Sequence, residues 1–293
     1  MHEALQTLGF GIVTAAVLAL SAVAFTLEYA VSNVPNLAHG EILTCGAYAA
    51  YLVLQATGSV TASALAAAAA GAGIAWAMNF TVISRFVRRG TNILVTFIAT
   101  LGMSYVIENA LVMGFGAANI AYTIHQSAPH HVGPFLWTGT EEEIILSAIG
   151  IGLLLYLIIQ HTKFGKAVRA VSQNRDLARV TGIRADRIAA QTWLLAGAVA
   201  GYSGFVLVET VGTFSPYSGF DFLLITLAAA VAGGLGKPFS TMAGAVIVGI
   251  ALSFTGGYIN SSYELAFSFA ILALVILFRP RGLFTAARRS ALE

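Results

Sequence analysis

The feature that most constrains this chain is the placement of its positive charges. All 15 Lys and Arg residues fall into four places. Arg85, Arg88 and Arg89 form the first, the seven from Lys163 to Arg187 the second, Lys237 the third, and Arg279, Arg281, Arg288 and Arg289 the last. Apolar segments run between them near 8–27, 37–55, 60–80, 93–113, 143–160, 188–209, 221–235, 241–257 and 263–278. A helical span needs about 20 mainly apolar residues, so nine segments are candidates. If they alternate across a bilayer, all four basic places share one side. The opposite side carries Glu3, the run Glu141–Glu143, Asp221 and Glu264, with no Lys or Arg. A wrong boundary would have scattered the charges. The positive-inside rule puts the basic side, and with it the C-terminus, in the cytoplasm. Nine crossings put the N-terminus outside.

The expected fold is an all-α polytopic membrane protein, a single transmembrane domain over residues 1–293. It has eight to nine transmembrane helices. The second and seventh segments are short or interrupted, so one broken or re-entrant segment near 34–46 fits as well as nine full spans. Charged residues make up 10% of the chain, against roughly 25% in soluble domains, which excludes an ordinary cytosolic enzyme. A single Cys45 excludes a disulfide framework and a cysteine-ligated zinc site. The first segment lacks a basic n-region, so no cleaved signal peptide is expected. Too few basic residues, without interleaved aromatics, leave no nucleic-acid site.

Polar residues inside these segments point to function. In Val34-Pro35-Asn36-Leu37-Ala38-His39-Gly40-Glu41 the proline breaks the helical ladder. Asn36, His39 and Glu41 follow within six residues, and Glu41, Thr44, Cys45 and Tyr48 then share a helix face. Irregular backbone at membrane depth is tolerated only where protein or a cavity covers it. The segment therefore reads either as a broken helix lining a translocation path or as an interfacial helix start that Asn36 caps and Glu41 favours. The fourth segment repeats polar residues every four positions: Asn92, Thr96, Thr100, Ser104 and Glu108. Such a ridge packs on a neighbouring helix, and Glu108 should face the bundle interior or a cavity. It lines a path or sits near the outer interface. Glu209 is a weaker candidate of the same kind.

Other features are architectural or excluded. Ala64–Ala70, Gly71, Gly73, Gly197, Gly201 and Gly204 allow close helix approach. The outer loop holds His125, His130 and His131, but no cysteine, and is not read as a metal site. Gly233-Gly234-Leu235-Gly236-Lys237-Pro238 has Val231 and Pro238 where a Walker loop needs Gly and Ser or Thr, so it is no nucleotide site. Nothing has the spacing of a catalytic triad or a metalloprotease.

The connection 161–187 carries seven basic residues against Asp176 and Asp186. Its apolar residues Val168, Val171, Leu177, Val180 and Ile183 recur at helical spacing, with a break at Asn174. One or two short amphipathic helices are expected on the inner side. They form a docking surface for a cytoplasmic partner or an anchor on anionic lipid.

The stretch Phe164-Gly165-Lys166-Ala167-Val168-Arg169-Ala170-Val171-Ser172-Gln173-Asn174-Arg175-Asp176-Leu177-Ala178-Arg179-Val180-Thr181-Gly182-Ile183 resembles the cytoplasmic loop of the branched-chain amino acid permeases of ABC importers. Asn36–Glu41 followed by Gly46-Ala47-Tyr48 is similar to their N-terminal signature, and Ala232–Gly236 and Arg279–Phe284 also match. The start looks more like the first of the two paired permeases. This resemblance implies a complex of two homologous permeases in the lipid bilayer, two cytoplasmic ATPase subunits and an external or periplasmic solute-binding protein. The setting would be a bacterial or archaeal plasma (inner) membrane. ATP and Mg would be bound by the ATPases, with no cofactor in this chain. Arg169, Asn174, Asp176, Arg179, Gly182 and Ile183 would belong to the ATPase-coupling loop. Asn36, His39, Glu41, Thr100, Ser104 and Glu108 are the candidate substrate pathway. Relatives carry urea, short amides or aromatic acids through the same architecture. A self-sufficient transporter using Glu41 or Glu108 as a proton relay is the alternative.

Overall fold

The computed structural model describes residues 2–122, 128–279 and 282–284. Within them the chain is almost wholly helical. The first half contains α1 (His2–Ser32), α2 (His39–Thr57), α3 (Val60–Met78), a π-helical turn (Asn79–Ile83), α4 (Ser84–Arg88) and α5 (Ile93–Phe115). The second contains α6 (Gly139–His161), α7 (Lys163–Gln173), α8 (Arg175–Val180), α9 (Ala185–Val211), α10 (Ser218–Gly233), α11 (Pro238–Tyr258) and α12 (Glu264–Phe278). All nine apolar segments are helical. Seven described helices are long and apolar enough to cross a membrane. The two left over are the second and seventh: α2, and α10 with only 16 residues.

α1 and α9 run through the centre, and α5 and α12 lie at the periphery with most of their apolar side chains exposed. α1 and α11 are antiparallel. Ser253 Oγ donates to Thr7 O (2.9 Å) at one end, and Thr26 Oγ1 donates to Thr241 Oγ1 (3.0 Å) at the other. Arg169 and Lys237 share one cavity beside Tyr29, near the second end. Asp221 and Glu264 share a different one, and Glu264 also lines a cleft with Thr7 near the first end. Arg169 and Lys237 thus lie at one end of the bundle and Asp221 and Glu264 at the other. Arg281, Arg288 and Arg289 lie outside the described residues.

Close packing comes from glycine. Gly46 of α2, Gly71 of α3 and Gly197 and Gly201 of α9 meet backbone to backbone. Gly73 touches nothing within 4 Å of a built Cβ and plays no part in this contact.

Three boundaries differ from expectation. The helix begun at Val60 continues through the π turn to Arg88, so Arg85 and Arg88 ride on its last turn rather than in a connection. There they complement the negative end of the helix. The break near 34–46 is confined to 33–38, and α2 then runs unbroken from His39. Asn92 is not part of the α5 ridge but its N-cap, accepting from Leu94 N at 3.0 Å. The loops also carry two short antiparallel pairings, β1 (Ile120–Ala121) with β4 (Thr213–Phe214) and β2 (His130–Val132) with β3 (Phe135–Trp137). Between them the Thr138 and Glu141 side chains form a capping box that starts α6.

Candidate functional site

The break after α1 is organised by a residue that sequence reasoning missed. Glu28 lies one turn before the end of α1 and is fully buried. Ser32 Oγ donates to Glu28 O (2.7 Å), and Asn33 takes a left-handed φ of 57°, turning the chain back along α1. Asn36 Nδ2 then donates to Glu28 Oε2 (2.8 Å), and His39 Nδ1 lies 3.0 Å from Glu28 Oε1. His39 Nε2 is 3.5 Å from Ser21 Oγ, which in turn is 2.8 Å from Thr226 Oγ1 of α10. One carboxylate therefore fixes α1, the break and α2, and a hydroxyl pair extends the contact to α10. Asn36 does not cap α2, because Ala38 holds that position and lacks a side-chain bond. Instead Asn36 Oδ1 accepts from Ala38 N (3.1 Å), an Asx turn that sets the approach to the helix.

Glu41 sits in the first turn of α2, where a carboxylate suits the positive end of the helix. It is fully buried. Ser104 Oγ donates to its Oε1 at 2.9 Å, and Oε2 has no partner among the described residues. One turn back along α5, Thr100 Oγ1 accepts from Leu37 N (3.1 Å) and donates to Phe97 O (2.7 Å). Thr100 and Ser104 are thus buried against the break and the start of α2; Thr96 is also buried and donates to Asn92 O (3.4 Å), while Glu108, a turn beyond Ser104, is half-buried. Of the α2 face, Thr44 and Tyr48 are buried and Cys45 is partly exposed. Further along α2 from Glu41, Tyr48 joins an aromatic cluster. The Tyr48 ring centroid lies 4.3 Å from that of Phe115 and 4.8 Å from that of Phe214, and Tyr122 packs edge-on to Phe214 at 6.2 Å. Burial pushes the Tyr122 phenol well above its ordinary range, and the negative field of Glu209 adds to it.

The connection 161–187 forms two short helices, α7 and α8, divided at Asn174, where one or two were expected. Asn174 is extended (φ −157°) and its Oδ1 accepts from Leu177 N (2.9 Å), capping α8. The apolar residues divide by role. Val168 and Val171 are buried and Ile183 is half-buried, whereas Leu177 and Val180 are 61% and 85% exposed. Gly182, at φ 85°, closes the loop, with Gly182 N donating to Arg179 O (3.0 Å) and Ile183 N to Ala178 O (3.0 Å). Arg169 points back to the bundle and donates to Ile159 O. Asp176 is exposed, and its contact with Arg179 is long at 3.5 Å. Asp186 is the real anchor: it receives Arg175 at 2.5 Å and Arg179 at 3.3 Å, tying α8 to the start of α9. α8 therefore stands out as a held knob with an apolar tip.

His130 Nε2 lies 2.8 Å from Glu142 Oε1. Among the described residues no group of three metal-ligating side chains comes together, and His125 lies outside them. The contacts around Glu28 and Asp186 left a faint trace in sequence. Each is a lone acid within a few residues of Asn, His or Arg, and only the fold shows which partners meet.

Over 95% of its length the chain is 29% identical to 94% of the high-affinity branched-chain amino acid transport system permease protein LivH of Escherichia coli (strain K12). It is 28% identical to the permease protein BraD of the corresponding system of Pseudomonas aeruginosa, over 97% of this chain and 96% of that protein. It is 26% identical to the ribose import permease protein RbsC of Escherichia coli (strain K12), over 88% of this chain and 81% of that protein. Residues 7–276, from within α1 to within α12, match one family throughout, and the chain belongs to it: the permease component of the branched-chain amino acid transport system.

Proposed function

We propose that this multi-pass membrane chain is a transmembrane subunit of an ATP-driven importer that carries branched-chain amino acids into the cytoplasm. As a permease component it is not itself an enzyme. The reading extends to a second homologous permease, two cytoplasmic ATPases that bind ATP and Mg, and an external solute-binding protein. The observation that carries it is α8. A short helix bearing exposed Leu177 and Val180, braced through Asp186, has the form of a lever that a groove in another protein grips. The C-terminus lies on the same, cytoplasmic, side.

In this reading Glu41, Thr100, Ser104 and Glu108 line the route of the solute. Asn36 and His39 serve it by fixing, through Glu28, where the start of α2 faces. The family match and the relatives named for branched-chain amino acids favour those solutes. The similarity to a ribose permease is a reason to test others.

Purification of the full chain from its native membrane in mild detergent tests the assembly. P-loop ATPases and a second permease should co-purify. The solute-binding protein of the same system should then bind leucine in preference to urea or ribose. Recovery of the chain alone, under conditions that preserve a known ABC complex, would overturn the reading. Uptake that stops when the proton gradient is collapsed, at constant ATP, would favour a proton relay instead.

A further inference from the structure

The turn between α10 and α11 carries chemistry outside the solute route proposed above. Gly234 and Gly236 take φ of 109° and 82°, which lets the chain reverse within a few residues. Lys237 precedes α11, and no side chain caps that helix. Pro238 at its first position has no N–H, and Thr241 N donates to Lys237 O (3.0 Å). The N–H groups of Phe239 and Ser240 therefore open a 21-residue helix ahead of its intrahelical ladder.

These residues form one wall of a cavity of about 570 Å³. α7 forms another wall with Arg169 and Ser172, and the ends of α1 and α6 complete it. Arg169 spends one Nη on Ile159 O and Gln160 Oε1. Its other guanidinium N–H groups have no acceptor among the described residues. Among the described residues neither Arg169 nor Lys237 is in an ion pair; Asp176 and Asp186 are paired with Arg175 and Arg179. None of the fourteen lining residues is acidic. Two cations on separate elements and an uncapped helix start thus converge on a space with no anion among its lining residues, while the Ser172 hydroxyl is occupied in donating to Arg169 O (2.9 Å).

We infer that this cavity binds a phosphate group. Lys237 approaches as a point charge from one wall, the free arm of Arg169 as a fork from the other, and the first-turn N–H groups of α11 supply dipole and hydrogen bonds. The cavity lies where Tyr29 and Asn33 end the apolar run of α1. The phosphodiester of an anionic phospholipid headgroup is one source, and a soluble phosphate is the other. A phosphate held there bridges α7, which carries the coupling loop, to α1 and α11.

The test uses the full-length chain in nanodiscs of phosphatidylcholine with graded phosphatidylglycerol. Lipid retention is read by native mass spectrometry. In the second arm, inorganic phosphate is added to pure phosphatidylcholine discs and melting is followed. If the source is lipid, phosphatidylglycerol is retained, and its apparent affinity falls about fivefold to tenfold in Lys237→Gln and recovers in Lys237→Arg. A soluble source gives phosphate-dependent stabilisation of the wild type that Lys237→Gln loses. Ser172→Asp, which places an anion inside the cavity, should abolish binding in either arm, and it serves should Lys237→Gln fail to fold. Phosphatidylglycerol and phosphate that bind wild type, Lys237→Gln and Ser172→Asp alike, or bind none of them, would overturn the inference.

Discussion

Adding one methyl group at Gly201 tests the packing argument most directly. A Cβ built there lies 2.8 Å from Gly71 Cα and 3.0 Å from Gly71 N, and closer still to Ala67 O. Carbon atoms rest at about 3.5–4.0 Å, so α3 and α9 must separate by about 1 Å in Gly201→Ala. All the opposing atoms are backbone, so no side chain can swing aside. Gly46 of α2 presses on Gly201 as well, and the strain reaches a third helix. Overpacking of this kind costs about 1–3 kcal/mol, equivalent to a fall of about 2–10 °C in apparent Tm for a domain of comparable size. Gly73→Ala is the control. It lies two residues from Gly71 on the same helix but meets nothing within 4 Å, and it should be neutral or stabilising by about 0.5–1 kcal/mol through helix propensity. Thermal scanning in one detergent, with ligand absent, measures both. If Gly201→Ala and Gly73→Ala melt together, the glycine contact does not set the helix spacing.

The remaining predictions concern the break, the loop and the path. Glu28→Ala strands the Asn36 amide and the His39 imidazole in a dry interior and should cost about 3–5 kcal/mol; a variant that melts with the wild type would remove Glu28 from the centre of the break. Leu177→Asp and Val180→Asp alter exposed side chains, so Tm should stay within about 0.5 kcal/mol equivalent while ATPase co-purification drops; intact complexes would show that α8 is not the gripped element. Asp186→Asn frees Arg175 and Arg179 from a partly exposed site and should cost under about 1 kcal/mol of stability. It should nonetheless loosen ATP hydrolysis from uptake, and wild-type coupling would argue that α8 is held by other means. Glu108→Ala should lower uptake at normal expression, and unchanged flux would return Glu108 to a structural role.

Much of the architecture was legible because the bilayer imposes simple rules. Apolar runs located the spans and charge placement supported their boundaries, while the helical spacing of Val168, Val171, Leu177 and Val180 pointed to α7 and α8 with their division at Asn174. Boundaries were less legible where a helix outlasts its apolar run, as at Arg85 and Arg88, whose basic side chains tolerate a helix end as well as a loop. Glu28 escaped notice because its partners lie across a reversal whose direction depends on the left-handed Asn33. Period alone could not separate the buried Val171 from the exposed Val180, since both fit an apolar stripe. The ridge on α5 was visible as a pattern, but its neighbour was not, and only contact with Leu37 and Glu41 tells what it serves.

The shortness of α10 has an electrical consequence. At 1.5 Å per residue its 16 residues reach only about 24 Å, against a hydrocarbon core of about 30 Å. At its N-terminal end a recess of about 400 Å³, lined by Ser218, Asp221 and Glu264 among others, takes up the difference. Water entering that recess carries bulk dielectric inward by about one helical turn. The membrane potential then falls over a thinner slab. Any charge beside α10 at that depth meets a shorter stretch of low dielectric than the bilayer thickness implies, with the Asp221 and Glu264 side chains among the walls of the recess.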